Sequence, residues 1–145
     1  MRTTDVDGSR ALERGKTQME ERERHTSGML VRREILGNAH VDRAEEQKSE
    51  LDEEFQDLIT RYAWGEIWTR PGLSRHTRSL LTIGLMVALN REEELKLHLR
   101  ASRNNGVTAE EIREVLLHCA VYCGVPAANA AFRAAGEVLK SGSGV

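Results

Sequence analysis

The chain has 145 residues, of which 39% are hydrophobic and 30% charged, and its 21 basic and 23 acidic side chains give a formal net charge of -2. This length suits one domain with a modest core. The charge balance excludes the strongly basic surface typical of proteins that bind nucleic acids or anionic membranes, and no apolar run reaches the roughly 20 residues of a membrane-spanning helix.

The N-terminal residues 1–18 are polar and lack hydrophobic periodicity, which predicts a disordered tail. They also lack the apolar segment of a secretion signal. Because the two cysteines occur in a chain without such a signal, we expect a cytoplasmic protein with reduced thiols. The folded domain is predicted to span residues 19–141.

Two helices are predicted in the first half of this domain. Residues 20–37 form a charged helix with a sparse apolar stripe, and the glycine at its end is a typical helix stop. Residues 40–48 are predicted to be a connector. Ser49 and Asp52 then have the spacing of a capping box that opens a second helix, and the apolar residues that follow recur at helical spacing.

The second half predicts four more helices, which begin near Ser74, Glu92, Thr108 and Pro126. Thr108 and Glu111 have the spacing of a second capping box. Residues 79–89 are apolar on nearly every face of their helix, so we expect this helix to be almost wholly buried, in the core or against a partner subunit. Since every predicted element is helical, the predicted fold class is all-α, with six to seven helices.

The sequence contains none of the common cofactor or nucleophile motifs: it has no GxGxxG, P-loop, HExxH, CxxC or GxSxG pattern. We therefore predict a site formed by side chains alone, with no cofactor and no metal. Cys119 and Cys123 lie four residues apart on one predicted helix, where they are poorly placed for a disulfide, so we predict a packing role for both. Tyr122 and Asn129 either line a pocket or are buried polar groups, and the other histidines are expected to have surface or capping roles.

The segment from Arg91 to His98 is the first of two candidate site clusters. Arg91, Glu94 and His98 fall within about one third of the helix circumference. Glu94 lies one turn before His98, where its carboxylate favours the protonated imidazole. The alternative is the solvated face of a charged helix.

The second cluster is the stretch of residues 64–78, which crosses a break in the helical pattern. Two tryptophans, one glutamate and three arginines occur there, namely Trp64, Glu66, Trp68, Arg70, Arg75 and Arg78. Loops next to rigid elements frequently carry functional residues. The alternative is an ordinary helix connection whose tryptophans fill the core.

Two stretches carry a resemblance to a known family: RREILGNAHVDRA and YAWGEIWTRPGLSRHTRSLLTIGLMVALNREEELKLHLRASRNNGVTAEEIREVLLHCAVYCGVPAANAAF. Together they resemble the carboxymuconolactone decarboxylase family over about residues 20–140. The resemblance implies an AhpD-like helical bundle and a homo-oligomer, either a trimer or a hexamer. It also implies cofactor-free decarboxylation of 4-carboxymuconolactone to 3-oxoadipate enol-lactone, in the protocatechuate branch of the β-ketoadipate pathway.

The same superfamily includes AhpD-like peroxidase partners, which carry a C-x-x-C-x-x-x-H motif. In this chain the two cysteine positions are Arg91 and Glu94, whereas the histidine is kept as His98. Dithiol chemistry is therefore not expected from this helix. A redox partner or a non-catalytic member of the family is the alternative function, and a helical adaptor that binds another protein is a third.

The substrate implied by the resemblance has two carboxylates and a conjugated lactone, which takes up the electrons released with CO2 without a cofactor. Arginine forks bind carboxylates well, so Arg75 and Arg78 are predicted to hold them, with Arg91 in reserve. Trp64 or Trp68 is predicted to desolvate the leaving carboxylate, which favours loss of CO2.

His98 is predicted to be the general acid or the oxyanion donor in this reaction, and Glu94 to tune it. Glu66 is predicted to position either a water or His98, and the sequence does not decide between the two.

Overall fold

The computed structural model describes the backbone of residues 6–142 and the side chains of residues 20–142. It contains seven α-helices: α1 (Val6–Leu36), α2 (Asn38–Glu46), α3 (Glu53–Ile59), α4 (Arg75–Ala88), α5 (Glu92–Ser102), α6 (Ala109–Tyr122) and α7 (Val125–Ser141). A π-helical segment, Thr60–Ile67, continues α3, and a short 3-10 turn, Arg103–Asn105, follows α5. No strand occurs between residues 6 and 142, so the predicted all-α fold class is confirmed.

The chain divides into two compact units. The first unit takes the residues up to Arg32 together with Glu45–Arg70, and the second takes Arg33–Ala44 together with the chain from Pro71 onwards. Helix α1 begins at Val6, within the predicted tail. Residues 1–5 lie outside the described residues, so the predicted division between tail and domain stays a prediction.

The core of the second unit is formed by α4, α5, α6 and α7. Its largest fully buried side chains are aliphatic, among them Ile83, Leu99, Ile112 and Leu116. Helix α7 instead buries small residues, namely Ala128, Ala131, Ala134 and Ala135. Because alanines allow two helix backbones to approach closely, α7 packs tightly against the larger side chains of its neighbours.

The predicted helix caps of the second unit are confirmed. The Ser74 hydroxyl accepts a hydrogen bond from the backbone N–H of Thr77 at the start of α4, over 3.1 Å. Thr108 and Glu111 form the full capping box at the start of α6, with hydrogen bonds of 2.9 and 3.1 Å. These caps satisfy backbone donors that a helix start otherwise leaves unpaired.

Two local predictions in the first half of the domain are wrong. The predicted connector, residues 40–48, is largely helical, because α2 spans Asn38–Glu46 and fully buries Val41. Burial of this one side chain stabilises a helix that the charged sequence does not indicate. The Asp52 carboxylate accepts hydrogen bonds from the Ser49 backbone N–H and hydroxyl, both 2.8 Å, but these close a turn before α3 rather than start the helix.

The prediction that residues 79–89 are almost wholly buried is wrong for the single chain. Helix α4 buries Ser79, Ile83 and Val87 on one side. On the other side, Leu81, Leu85 and Leu89 are 53%, 48% and 60% exposed. These three leucines recur every four residues, so α4 carries an apolar stripe that the second unit does not cover.

Candidate functional site

The candidate site in the second unit is centred on His98, at the end of the second turn of α5. The imidazole is half-buried, and it lies beside the stripe that buries Leu95, Leu99 and Ser102. Burial lowers the pKa of His98, and the opposing effect of the Glu94 carboxylate, which raises that pKa, is the smaller of the two. Glu94 therefore favours the protonated imidazole, as its spacing predicts, but less strongly than burial disfavours it. The lowered pKa favours the neutral imidazole.

A second histidine belongs to this group and was not predicted as a site residue. His40 on α2 is half-buried, and its charge further lowers the pKa of His98. The prediction gave His40 only a surface or capping role. His40 lies within the stretch RREILGNAHVDRA, which carries part of the family resemblance, and this position is the sequence signal that indicates a role in the site.

The three predicted carboxylate-binding arginines all lie in the second unit, in different surroundings. Arg75 is exposed, and its guanidinium pairs with the Glu34 carboxylate at 2.5 Å. Arg78 is half-buried one turn further along α4. Arg91 is exposed just before α5 and lines a cavity of about 80 Å³ with residues of α4 and α7. Pockets that hold small molecules have about 300–1,000 Å³, so this cavity is too small for a ligand.

The remaining predicted site residues lie on the π-helix of the first unit or directly after it. Trp64 is buried and Trp68 half-buried, and their ring centroids are 5.3 Å apart with planes tilted by 32°. The Glu66 carboxylate lies 3.2 Å from the guanidinium of Arg24 and 3.7 Å from that of Arg70. The predicted site residues therefore form two groups, one in each unit.

The two cysteines have the surroundings of packing residues. Cys119 is buried and Cys123 half-buried, and both are free thiols. Burial raises the pKa of the Cys119 thiol, and the neighbouring Cys123 raises it further. Since the thiolate is the reactive form of cysteine, a raised pKa disfavours a nucleophilic or redox role for Cys119.

A wide apolar groove runs between α4 and α6 on the second unit. It is open to solvent, has a volume of about 650 Å³ and is lined mostly by apolar side chains, with His118 and Tyr122 on its α6 side. The rings of His118 and Tyr122 are in contact, with centroids 4.7 Å apart. The exposed Leu81 and Leu85 of α4 face this groove.

Neither a metal cluster nor a membrane span is found in the described part of the chain. Among these residues, no group of three or more histidine, cysteine, aspartate or glutamate side chains is placed to hold a metal ion. No helix there is both long and apolar enough to cross a bilayer.

Comparison with known proteins assigns the family. Residues 53–137 match the model of the carboxymuconolactone decarboxylase family. The chain belongs to this family. The match begins at the first residue of α3 and ends within α7, so it contains every predicted site residue, whereas His40 precedes it.

Three relatives extend this family assignment. A 4-carboxymuconolactone decarboxylase of Acinetobacter baylyi is 52% identical over 122 residues, which are 84% of this chain and 91% of the relative. A 4-carboxymuconolactone decarboxylase of Pseudomonas putida is 50% identical over 48 residues, 33% of this chain and 100% of the relative. A nitrosuccinic acid decarboxylase of Metarhizium robertsii is 50% identical over 99 residues, 68% of this chain and 69% of the relative.

Proposed function

We propose that this member of the carboxymuconolactone decarboxylase family converts 4-carboxymuconolactone into 3-oxoadipate enol-lactone and CO2 without a cofactor. The observation that carries the proposal is the 52% identity to the Acinetobacter enzyme over 84% of this chain and 91% of the relative. The proposed reaction belongs to the protocatechuate branch of the β-ketoadipate pathway. The cytoplasmic location expected from the sequence stays a prediction.

The proposed reaction sets three tasks for the protein. The bond between the ring carbon and its carboxylate breaks, and the electron pair moves through the C=C bond into the lactone carbonyl. The resulting dienolate carries negative charge on oxygen, which a hydrogen-bond donor in a water-poor site stabilises. A proton then adds to the α-carbon and completes the product. Before the bond breaks, the protein must also hold the two carboxylates of the substrate, one of which then leaves as CO2.

We assign the oxyanion contact to His98. A neutral, half-buried imidazole still has one ring N–H to donate, and burial strengthens that hydrogen bond. A general acid instead has to be protonated at the working pH, which the lowered pKa of His98 disfavours. Glu94 is proposed to tune the pKa of His98, and His40 is added to this group.

Arg78 is the strongest candidate for binding a substrate carboxylate. Its half-buried position limits competition from water, which strengthens a charged hydrogen bond. Arg75 is already paired with Glu34, so binding substrate through Arg75 requires that ion pair to exchange. Arg91 stays the third candidate for binding a substrate carboxylate.

Trp64, Trp68 and Glu66, which all lie in the first unit, stay proposed site residues. The half-buried ring of Trp68 offers an apolar surface that removes water from a leaving carboxylate. Glu66 lies between two guanidiniums, which favours a role in positioning over one in proton transfer.

Lactone turnover is the direct test of the proposed function. We expect the purified protein to release CO2 from 4-carboxymuconolactone at the same rate with and without EDTA, and with no added cofactor. The rate with nitrosuccinic acid, measured in parallel, compares the substrates named for two relatives. Turnover that requires a divalent metal would contradict the assigned site, and turnover of nitrosuccinic acid alone would favour that second substrate.

We also propose that the chain forms a ring-like homo-oligomer, a trimer or a hexamer, through the α4–α6 groove. Single chains rarely leave a large contiguous apolar patch exposed. The groove joins the exposed stripe of Leu81 and Leu85 to Tyr122 of α6, so a second copy seated there would bury the leucines that the single chain leaves in water. This contact would complete the burial of α4 that the sequence predicts.

A double substitution tests this contact. Leu81→Glu with Leu85→Glu places two charges in the groove, and burying them against a second copy is costly. We therefore expect light scattering to show a trimer or hexamer for the unmodified protein and a monomer for the double variant. Leu30→Glu, at a leucine of α1 that is 60% exposed, serves as the control and should keep the assembly. A stable monomer of the unmodified protein at micromolar concentration would contradict the proposal.

A further inference from the structure

Helix α3 does not stop at Ile59 but widens into the π-helix Thr60–Ile67. At its end, the backbone N–H of Trp68 donates to the carbonyl of Ala63 over 3.0 Å, a bond that spans five residues instead of four. Wide turns of this kind are rare and frequently occur at functional sites. Here the wide turns carry Trp64 and Glu66, and Trp68 follows directly.

Arg32 of α1 is bonded to the point where the helix widens. Its guanidinium donates to the side-chain oxygen of Gln56 over 3.0 Å and to the hydroxyl of Thr60 over 3.3 Å. The carboxylate of Glu45 lies 3.5 Å away. Arg32 is only 4% exposed and Thr60 only 1%. A charge buried this deeply is retained only when its neighbours pair with it, so these contacts fix the guanidinium in place.

Thr60 connects this arginine to the helix backbone. Its hydroxyl donates to the backbone carbonyl of Gln56 over 2.8 Å while accepting from Arg32. The side chain and the backbone of Gln56 are therefore both engaged, one by Arg32 and the other by Thr60. Arg32 thus contacts the last turn of α3 and the first residue of the π-helix at the same time.

The backbones of α1 and the π-helix are in direct contact next to Arg32. Gly28, one turn earlier on α1, has no room for a Cβ, because that atom would overlap the carbonyl oxygen of Thr60. A Cβ on Gly65 would likewise overlap the carbonyl oxygen of Arg24. Because this backbone contact holds α1 against the π-helix, the Arg32 side chain extends toward the π-helix from a fixed backbone position.

We propose that Arg32 is a positioning residue that holds the helix in its wide form at Thr60 and thereby sets the Trp64–Trp68 ring pair. The importance of this pair for catalysis rests on the proposed function, which places the leaving carboxylate against a tryptophan. The effect of Arg32 on the two rings does not depend on that function. An arginine is needed because its planar fork bonds two acceptors at a fixed spacing, whereas a lysine ammonium does not.

The circular dichroism of the two tryptophans distinguishes a change in their relative position from a general loss of stability. They are the only tryptophans in the chain, and indoles whose centroids lie 5.3 Å apart couple electronically and give a paired signal in circular dichroism. We expect Arg32→Lys to lose this paired signal while remaining helical. We also expect its kcat for lactone decarboxylation to fall by roughly tenfold to a hundredfold, the scale of a small misplacement of site residues, with a smaller change in KM.

Arg33→Lys is the matched control, because Arg33 is the next residue on α1 and pairs with Asp42 instead; it should keep both the tryptophan signal and kcat. Thr60→Val removes the hydroxyl that joins Arg32 to the backbone and should reproduce both losses. It also carries the test if Arg32→Lys does not fold. Since both residues act through one contact, the double variant should lose no more than the stronger single variant.

Two results overturn the proposal: an Arg32→Lys protein that keeps the paired signal, or one that loses the signal and keeps full kcat. If the unmodified protein does not turn over the lactone, the proposed function fails. The circular dichroism of the same variants then still decides whether Arg32 sets the tryptophan pair.

Discussion

Replacing His98 by alanine is expected to lower kcat for lactone decarboxylation by roughly 10²–10⁴-fold and to leave KM nearly unchanged. The reason is that the proposed hydrogen bond from the imidazole strengthens only as negative charge develops on the lactone oxygen. His25→Ala is the control, because His25 is also partly buried but lies on the first unit beside Asp57. Near-normal kcat in a folded His98→Ala protein would remove His98 from the site.

The glutamine variant tests the assignment of His98 as oxyanion donor against the alternative role of general acid. A glutamine side chain donates a hydrogen bond but does not transfer a proton at neutral pH. If His98 is the oxyanion donor, His98→Gln should recover much of the rate that alanine loses. If His98 is the general acid, glutamine should perform no better than alanine.

The pH dependence of the reaction distinguishes the same two roles independently. Burial lowers the pKa of His98 below its ordinary value, so the neutral imidazole predominates above that lowered pKa and the charged form below it. An oxyanion donor predicts a kcat that is retained at neutral pH, because the neutral imidazole and its protonated form both have an N–H to donate. A general acid predicts a kcat that falls as the pH rises above the lowered pKa, where the protonated form is lost. Glu94→Gln removes the carboxylate that raises the pKa, so the inflection should move to lower pH.

The sequence predicts elements best where a few neighbouring residues determine the structure. Thr108 and Glu111 form their capping box entirely from residues three positions apart, and Gly37 ends α1 in a left-handed conformation, φ +87°, that glycine readily adopts. Both predictions are correct because no distant part of the chain is needed to make them true.

The wrong predictions concern features that depend on contacts between residues far apart in the sequence. The helical state of residues 40–48 depends on the burial of Val41, and the exposure of the α4 leucines depends on which helices pack beside them. The π-helix that begins at Thr60 likewise has no local pattern in the sequence that indicates it. Arg32, whose guanidinium contacts Thr60, lies 28 positions away along the chain.

The candidate site likewise has one feature that local spacing predicts and others that depend on packing between helices. The spacing of Glu94 and His98 correctly predicts that the carboxylate acts on the imidazole. The stronger effect, burial, comes from the packing of α5, and His40 comes from another helix. Spacing along one helix therefore identifies a partner of a titratable group, but the direction of its pKa shift depends on the fold.

Gly28→Ala is expected to destabilise the protein strongly. The new Cβ would overlap the backbone oxygen of Thr60, and a backbone carbonyl in a helix has little freedom to move aside. Overpacking typically costs about 1–3 kcal/mol and occasionally more, and this contact belongs at the upper end. A loss of about 3 kcal/mol lowers the Tm of a domain of this size by roughly 6–12 °C, which thermal unfolding followed by circular dichroism measures.

Gly136→Ala is the matched control for this substitution. Gly136 also lies within a helix, α7, but a Cβ there meets no atom within 4 Å. Alanine is favoured over glycine in a helix by roughly 0.5–1 kcal/mol, so this variant should unfold at a slightly higher temperature than the unmodified protein. The same chemical change is therefore expected to act in opposite directions at the two glycines. A Gly28→Ala protein as stable as Gly136→Ala would mean that α1 and the π-helix are not in backbone contact. The backbone of α1 would then not fix the position from which Arg32 reaches Thr60.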